Sequence, residues 1–153
     1  MLDRIDSSIV RELRINARLS NKELAKSVGL APSSCLVRVR NLEVAGILKG
    51  YHADIEPESL GVALQAMISV RLTHHSQAEV KSFSAEMLSL SEVRQLYHVA
   101  GSNDFLLHVW VQNPQHLRDL VMHSITSQKE VAHIETGLIF EHTVNPDLPL
   151  FKD

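Results

Sequence analysis

Hydrophobic residues recur at helical spacing in three segments within the first 50 residues. The earliest segment begins near Asp3, which is predicted to be its N-cap, and its apolar positions are Ile5, Ile9, Val10 and Leu13. Apolar residues spaced in this way form one face of a helix that packs on a core. The pattern predicts three helices around a small shared core, followed by a change of period after Gly46.

Residues 19–51 predict two short helices joined by a tight turn. Ser20 and Glu23 have the spacing of a capping box, in which each side chain satisfies a free backbone N–H of the other residue. Gly29 stands where a left-handed residue ends a helix, and Pro32 suits the first turn of the next helix. The arrangement is typical of a helix-turn-helix, whose second helix enters a groove of DNA.

The second of these helices has a buried face and a polar face. Cys35, Val39 and Leu42 are spaced i, i+4 and i+7 and predict the buried stripe. The residues predicted to face outward are Ser33, Ser34, Val37, Arg38, Arg40 and Asn41. Two arginines can equally belong to an ordinary solvated helix, but the helix-turn-helix context favours DNA contact for this face.

Charge is divided unevenly along the chain. Residues 1–50 hold nine Lys or Arg and five Asp or Glu, net +4, whereas residues 51–153 hold six and thirteen, net −7; the two values sum to the total of −3. The first segment therefore attracts phosphates and the second repels them. We expect the first segment to bind double-stranded DNA.

A period of two replaces the helical period after Gly46. Residues 47–55 read as short extended pieces around Gly50, and Pro57 and Gly61 then interrupt the chain. We predict a helix-turn-helix domain at residues 1–50, a hinge strand and linker at 51–61, and a second domain at 62–153.

The second domain has the predicted order β-α-β-β-α-β. The predicted elements are a strand at 62–73, a helix at 77–89, strands at 93–100 and 104–112, a helix at 114–126 and a strand at 131–143. Gly101-Ser102-Asn103 forms the link of a β-hairpin between the two central strands. This order predicts an α+β protein whose second domain is a ferredoxin-like antiparallel sheet with both helices on one face.

The other face of such a sheet needs a cover. The apolar residues assigned to it are Leu107, Val109, Val111, Leu138 and Phe140. A second copy of the chain is the predicted cover, and the resulting dimer also supplies two helices for the two halves of a palindromic DNA site.

Composition excludes several other classes. At 153 residues, with one cysteine and no apolar run of the length of a membrane span, the sequence predicts a soluble cytoplasmic protein without disulfides. Cys35 is interpreted as a small core residue.

All nine histidines lie beyond residue 50, but their spacing fits no tetrahedral metal set. His98 and His108 are interpreted as neutral surface residues near each other on the hairpin. No motif organises a catalytic site, so neither an enzyme nor a cofactor is predicted.

Over nearly its full length the chain resembles the Lrp/AsnC family of prokaryotic transcription regulators. The motifs that carry the resemblance are Leu2-Asp3-Arg4-Ile5-Asp6, Ala17 to Ser20, Glu23-Leu24-Ala25, Gly29-Leu30, Arg38 to Gly46, Gly50-Tyr51 and Gly101-Ser102-Asn103-Asp104. The resemblance implies a nucleoid-associated regulator, a dimer that assembles further into tetramers, octamers or larger rings, and an amino acid bound between dimers.

The resemblance also implies which residues bind each ligand. The DNA-binding set comprises Asn21, Lys22, Pro32, Ser33, Ser34, Val37, Arg38, Arg40 and Asn41. The effector-binding set comprises Ala100, Gly101, Ser102, Asn103, Asp104, Thr126, Thr136, Gly137 and Leu138, some of them from a neighbouring dimer. From sequence alone, Asp104 has two readings: it accepts hydrogen bonds from turn N–H groups, or its carboxylate faces the ammonium group of the effector.

Two positions depart from the family pattern. Ala31 stands where the family often has a serine N-cap, and we expect Ser33 or Ser34 to compensate. Gln128-Lys129-Glu130 stands where relatives often have Pro-Gly, beside the implied pocket.

The sequence thus predicts a DNA-binding transcriptional regulator whose assembly and DNA affinity respond to an amino acid. Two alternatives stay open at this point. One is an architectural DNA binder that has no effector. The other is a small-molecule-binding or enzymatic ferredoxin-like module.

Overall fold

The computed structural model describes residues 2–74, 76–145 and 149. The described chain divides into two compact units, one formed by residues up to 54 together with those from 143 onward, and the other by residues 55–142. Arg14 donates a hydrogen bond from Nη2 to the carbonyl oxygen of Asn145 at 2.8 Å, within the first unit. The predicted second domain, residues 62–153, includes this C-terminal segment.

The first unit contains three helices. They are α1 (Arg4–Ile15), α2 (Asn21–Ser27) and α3 (Pro32–Val44). Their shared core consists of Ile9, Leu13, Leu24, Ala25, Cys35 and Leu42, all buried. The prediction that Cys35 is a core residue is confirmed, and burial raises the pKa of its thiol.

Side-chain caps begin two of these helices but not the third. Asp3 caps α1 by accepting the Asp6 N–H at 2.8 Å, and Ser20 forms the predicted capping box with Glu23 on α2. At α3 the N-cap is Ala31, and the helix begins without a side-chain cap. The expected compensation by Ser33 or Ser34 was wrong. Pro32 at the first position leaves this end one fewer N–H to satisfy.

The second unit has the predicted βαββαβ order. Its elements are a 3₁₀ turn (Pro57–Leu60), β1 (Leu64–Leu72), α4 (Gln77–Ser89), β2 (Val93–His98), β3 (Phe105–Val111), α5 (Pro114–Asp119), a π-helical turn (Leu120–Ile125) and β4 (Val131–Ile139). The four strands form one antiparallel sheet in the order β2-β3-β1-β4. The prediction of a ferredoxin-like fold is confirmed.

One face of the sheet packs on the helices. Alternate residues of β1 and β3 pack in one core with residues of the helices. The helix residues are Phe83 and Met87 of α4, Leu117 of α5, and Leu120 and Ile125 of the π-helical turn, and α5 with this turn forms the second helical segment. Since successive side chains of a strand point to opposite faces, the intervening residues of β1 and β3 form the other face. We call this second surface the open face; it comprises Gln65, Met67, Ser69, Leu106, His108 and Trp110.

The predicted cover residues of the open face were wrongly assigned. Leu107, Val109 and Val111 are at most 1% exposed and lie in the helix-side core. Leu138 pairs with buried Ala66, which places it on the helix side of the edge strand, half-exposed, and Phe140 follows β4 and is 98% exposed. The prediction assigned the wrong alternating set of β3 residues to this face, because successive side chains of a strand point to opposite faces.

Two further boundaries differ from the sequence prediction. In the part of the chain that the structure describes, the extended pieces predicted at 47–55 form no strand. The last strand ends at Ile139 rather than near 143, and the predicted helix at 114–126 continues from α5 into the π-helical turn.

A polar network lies on the open face. The Gln65 side-chain oxygen, Oε1, lies 2.9 Å from His108 Nε2 and accepts the Trp110 indole N–H at 3.1 Å. Arg94 lies over the Trp110 ring, 4.7 Å from its centroid, and the His142 ring centroid is 5.5 Å from that of His108.

The placement of the two hairpin histidines corrects the sequence interpretation. His108 is 4% exposed rather than a surface residue. His98 pairs with Phe105 and stacks on its ring, so it lies on the side of the sheet away from His108.

The environment of His108 predicts a pH-dependent stability. Burial lowers the pKa of His108, and the neighbouring His142 and Arg94 charges lower it further. Because the folded pKa lies below the unfolded value of about 6.5, the unfolded chain binds a proton more readily. The contribution of His108 to the free energy of unfolding is therefore complete above a pH of about 6.5. It is lost as the pH is lowered through the folded pKa.

Thermal unfolding measured from pH 8 to pH 5 should show this loss. His108→Gln keeps a hydrogen-bond donor but cannot titrate, so its melting temperature should fall less across the same range. Parallel curves for the two proteins would show that His108 does not contribute.

Candidate DNA-binding and effector sites

The turn between α2 and α3 is built as the sequence predicted. Ser20 N–H donates to the Glu23 carboxylate at 2.8 Å, and the Glu23 N–H donates back to the Ser20 hydroxyl at 3.2 Å. Gly29 has a φ of 71°, the left-handed conformation that ends a helix. Leu30 N–H then donates to the carbonyl oxygen of Ala25 at 2.8 Å, and this bond closes the turn just before α3.

Asn21 and Pro32 join the starts of the two helices. The Asn21 side-chain amide donates to the carbonyl oxygen of Pro32 at 2.8 Å, although the two residues are 11 positions apart. This bond fixes the angle at which α3 leaves the turn. Both residues were predicted DNA contacts, and the structure gives them a role within the protein. Lys22, the next residue on α2, is exposed.

The outer face of α3 is polar at its start and basic further along. Ser33, Ser34, Val37, Arg40 and Asn41 are all exposed, as predicted for a DNA-reading face. At 100° per residue, Ser33, Val37 and Arg40 fall on one stripe at spacings of four and three. This stripe lies opposite the buried side chain of Cys35.

Arg38 does not share this outward position. Its Nη1 lies 2.6 Å from Asp3 Oδ2 and 2.8 Å from Asp6 Oδ1, and its side chain is 32% exposed. The sequence had predicted that Arg38 faces outward from α3 and contacts DNA. The missed partners had a recognisable sequence signal, because Asp3 at the N-cap and Asp6 in the first turn of α1 are three residues apart and lie on one side of the helix start.

A groove of about 470 Å³ lies beside this ion pair. Asp6, Arg38 and Asn41 contribute polar groups to its wall, and the apolar part comprises Leu2, Leu42, Ala45 and Ile47. Asn41 therefore lies on the flank of α3 that faces the start of α1.

The hairpin at residues 100–104 is fixed by backbone hydrogen bonds. Gly101 has a φ of 144°, whereas none of the described residues other than glycine has a positive φ, Asn103 included. Val99 N–H donates to the carbonyl oxygen of Asp104 at 2.9 Å, and Asp104 N–H donates to that of Val70 at 2.9 Å. The hairpin is thus held both to its own first strand and to β1.

Asp104 also braces β1 with its side chain. Its Oδ2 accepts the Leu72 N–H at 2.7 Å. Leu72 lies beyond the last residue pair of β1 and β3, Val70 with Phe105, so its N–H has no ladder partner on that side and the carboxylate supplies one. This geometry favours the structural reading of Asp104, with a bond to a strand rather than to the turn.

The implied effector residues fall into two groups. Thr73 N–H, next to Leu72, donates to the carbonyl oxygen of Glu130 at 2.7 Å, so the loop after Thr126 lies at the same end of the sheet as the hairpin. Thr136, Gly137 and Leu138 pair with the middle of β1. They lie two strands from β3, roughly 10 Å at the usual strand spacing, so one protomer does not gather the whole set around a ligand.

The described residues provide neither a metal-binding cluster nor a membrane-spanning helix. In that part of the chain, no group of three or more His, Cys, Asp or Glu side chains is placed to hold a metal ion. None of the helices there is long and apolar enough to cross a membrane.

Both parts of the chain match models of known protein domains. A model of the AsnC-type helix-turn-helix domain matches residues 2–43, and one of the Lrp/AsnC ligand-binding domain matches residues 65–148. The HTH-type transcriptional regulator AldR of Mycolicibacterium smegmatis is 41% identical over 92% of this chain and 82% of its own length. The leucine-responsive regulatory protein of Rhizobium meliloti is 40% identical over 90% and 88%.

Solved structures agree with this assignment. A transcriptional regulator from Neisseria meningitidis in complex with L-methionine superposes with a TM-score of 0.87 at 31% identity, covering 95% of this chain and 94% of that one. AsnC of E. coli gives 0.83 at 28% identity, covering 95% and 96%.

The fold and the helix-turn-helix define a DNA-binding transcription regulator with a ligand-binding domain. Within that class, the chain belongs to the Lrp/AsnC family, as the sequence motifs had indicated.

The bond from Asp104 to Leu72 generates a stability prediction. Asp104→Ala leaves a partly buried N–H without its acceptor, so the free energy of unfolding should fall by about 1–3 kcal/mol. Asp104→Asn retains a side-chain oxygen that can accept this bond, and it should recover most of the loss. Chemical denaturation of the two variants measures the difference. Equal stability of Asp104→Ala and the unmodified protein would contradict the structural role.

Proposed function

We propose that this protein regulates transcription by binding DNA through α3 and by changing its DNA affinity when an amino acid binds to its second unit. The observation that carries the first part is the exposed Ser33–Val37–Arg40 stripe on a helix whose start is fixed by Asn21. Small polar residues at the start of the helix allow close approach to base edges, and Arg40 supplies a cation for a phosphate. Lys22, Ser34 and Asn41 complete the proposed contact set. A DNA-bound regulator of this kind acts in the cytoplasm, on the nucleoid.

The proposed effector site lies at the sheet end that carries the 100–104 hairpin and Thr126. Exposed Gly101 and Ser102 offer backbone N–H groups that suit a carboxylate. The L-methionine complex of the Neisseria relative supports an amino acid as the ligand class. Because Thr136, Gly137 and Leu138 lie elsewhere on the sheet, they complete the site from a neighbouring copy. An assembly larger than one chain is therefore part of the proposal.

We also infer that the open face is covered by the same face of a second copy. Met67, Leu106 and Trp110 are only partly buried there, whereas the helix side has a full apolar core. A sheet with one apolar face uncovered is stabilised by a second layer, and a twofold dimer provides that layer from identical residues. Two copies of α3 could then contact two half-sites of one operator.

Paired substitutions on the two faces test this dimer. Leu106→Glu would place a charge in the proposed interface at a cost of several kcal/mol, and it should give a folded monomer. Val109→Asp places the charge in the helix-side core instead and should unfold the protein. Analytical ultracentrifugation with circular dichroism distinguishes the two results. A folded Leu106→Glu protein of unmodified size would contradict a dimer through this face.

Binding to the DNA upstream of the protein's own gene, with each amino acid added in turn, tests the regulatory proposal. We expect operator affinity and particle size to change together for one amino acid or a small group of them. An effector acts only through different affinities for two states, so the two changes should have the same midpoint. Specific binding that no amino acid alters would instead indicate an effector-independent DNA binder.

A further inference from the structure

We infer that Arg38 is a positioning residue that holds the DNA-reading helix against α1, and that it does not itself contact DNA. The inference rests on the proposed use of α3 in DNA binding and concerns how that helix is oriented. It separates two arginines, Arg38 and Arg40, that lie on one short helix.

The bonds of Arg38 join two distant points of the first unit. Asp3 and Asp6 are 35 and 32 positions away in sequence, and both carboxylates lie within 2.8 Å of the same guanidinium nitrogen. Distances this short are typical of charge-assisted hydrogen bonds. The start of α1 is thereby joined to the middle of α3.

Asp3 has two roles in this arrangement. Its Oδ1 accepts the Asp6 N–H and caps α1, while its Oδ2 binds Arg38. The bond from the Asp6 N–H and then the bond from Arg38 hold the pKa of Asp3 below its usual value. The α1 dipole also favours negative charge at this end of the helix, which suits a pair of carboxylates facing an arginine.

The direction of the side chain agrees with this role. Arg38 is rotated by about 100° along the helix from Val37, towards the flank that forms the groove with Leu2 and Asp6. To contact DNA, its guanidinium would have to exchange two carboxylates for a phosphate of the same charge. Such an exchange brings little net stabilisation, whereas exposed Arg40 needs no such exchange.

The proposed role has a consequence for specificity. Base edges are read at hydrogen-bond distances, so a small rotation of α3 weakens specific contacts, while attraction between a basic surface and phosphates changes little. Loss of the Arg38 pair should therefore lower the ratio of operator affinity to random-DNA affinity. Loss of a phosphate contact should weaken both affinities.

The experiment compares Arg38→Ala, Asp3→Asn/Asp6→Asn, their combination and Arg40→Ala. Asparagine caps a helix about as well as aspartate, so the double variant removes the charges without removing the cap of α1. Affinities for operator and random duplexes are measured across a range of salt concentrations, with circular dichroism to verify folding.

We expect Arg38→Ala and the Asp3/Asp6 double variant each to reduce the operator-to-random ratio several-fold. Their combination should add little to either, because both break the same pair. The salt slope should stay unchanged in Arg38→Ala and fall by about one in Arg40→Ala.

The opposite results would overturn the inference. If Arg38 contacts DNA, the Asp3/Asp6 double variant releases it and raises the operator-to-random ratio or leaves it unchanged, while Arg38→Ala lowers the salt slope. If Arg38→Ala fails to fold, the double variant alone still tests the role of Arg38. A fall in its operator-to-random affinity ratio supports the positioning role, and a rise or no change contradicts it. If Arg38→Ala and Arg40→Ala both leave operator affinity and salt slope unchanged, the proposed use of α3 is wrong instead.

Discussion

The alternation of side chains in β1 and β3 is the constraint on which the second unit depends. Both helical segments pack on one side of the sheet, so every second residue of these strands enters a dry core. The residues between them are left on the open face, where His108, Gln65 and Trp110 satisfy one another's polar groups. The hydrogen bonds of that face are formed within the protomer. The proposed dimer would therefore bury a preorganised surface.

The first unit is held by two different kinds of interaction. Its apolar core brings the three helices together, as in any small helical domain. Polar bonds then fix their orientation: Asn21 bonds the start of α3, and the carboxylates of α1 bind Arg38 in its middle. Hydrophobic contact is non-directional, whereas these bonds have defined geometry. For a protein that reads DNA, the angle of one helix matters as much as its stability.

The end of the sheet near the 100–104 hairpin combines structural and proposed ligand-binding roles. Asp104 braces Leu72, and Glu130 accepts the bond of the next residue, Thr73. The hairpin and the loop before β4 are thus anchored to neighbouring residues at the end of β1, Leu72 and Thr73.

Local sequence signals were sufficient for much of this protein. The Ser20–Glu23 capping box, Gly29 and the helical spacing of apolar residues determine the helix-turn-helix, because these signals act within a few residues. The order of strands and helices likewise determined the ferredoxin-like fold.

The face of Val109 and the partners of Arg38 and Asp104 depended on the tertiary structure. A run such as Phe105 to Val111 is apolar or aromatic at all but one position, so only the packed helices decide which residues are buried. The carboxylates that bind Arg38 are more than 30 positions away, and the N–H that binds Asp104 lies just beyond the last residue pair of β1 and β3. Such contacts depend on how separate elements come together, which local patterns do not encode.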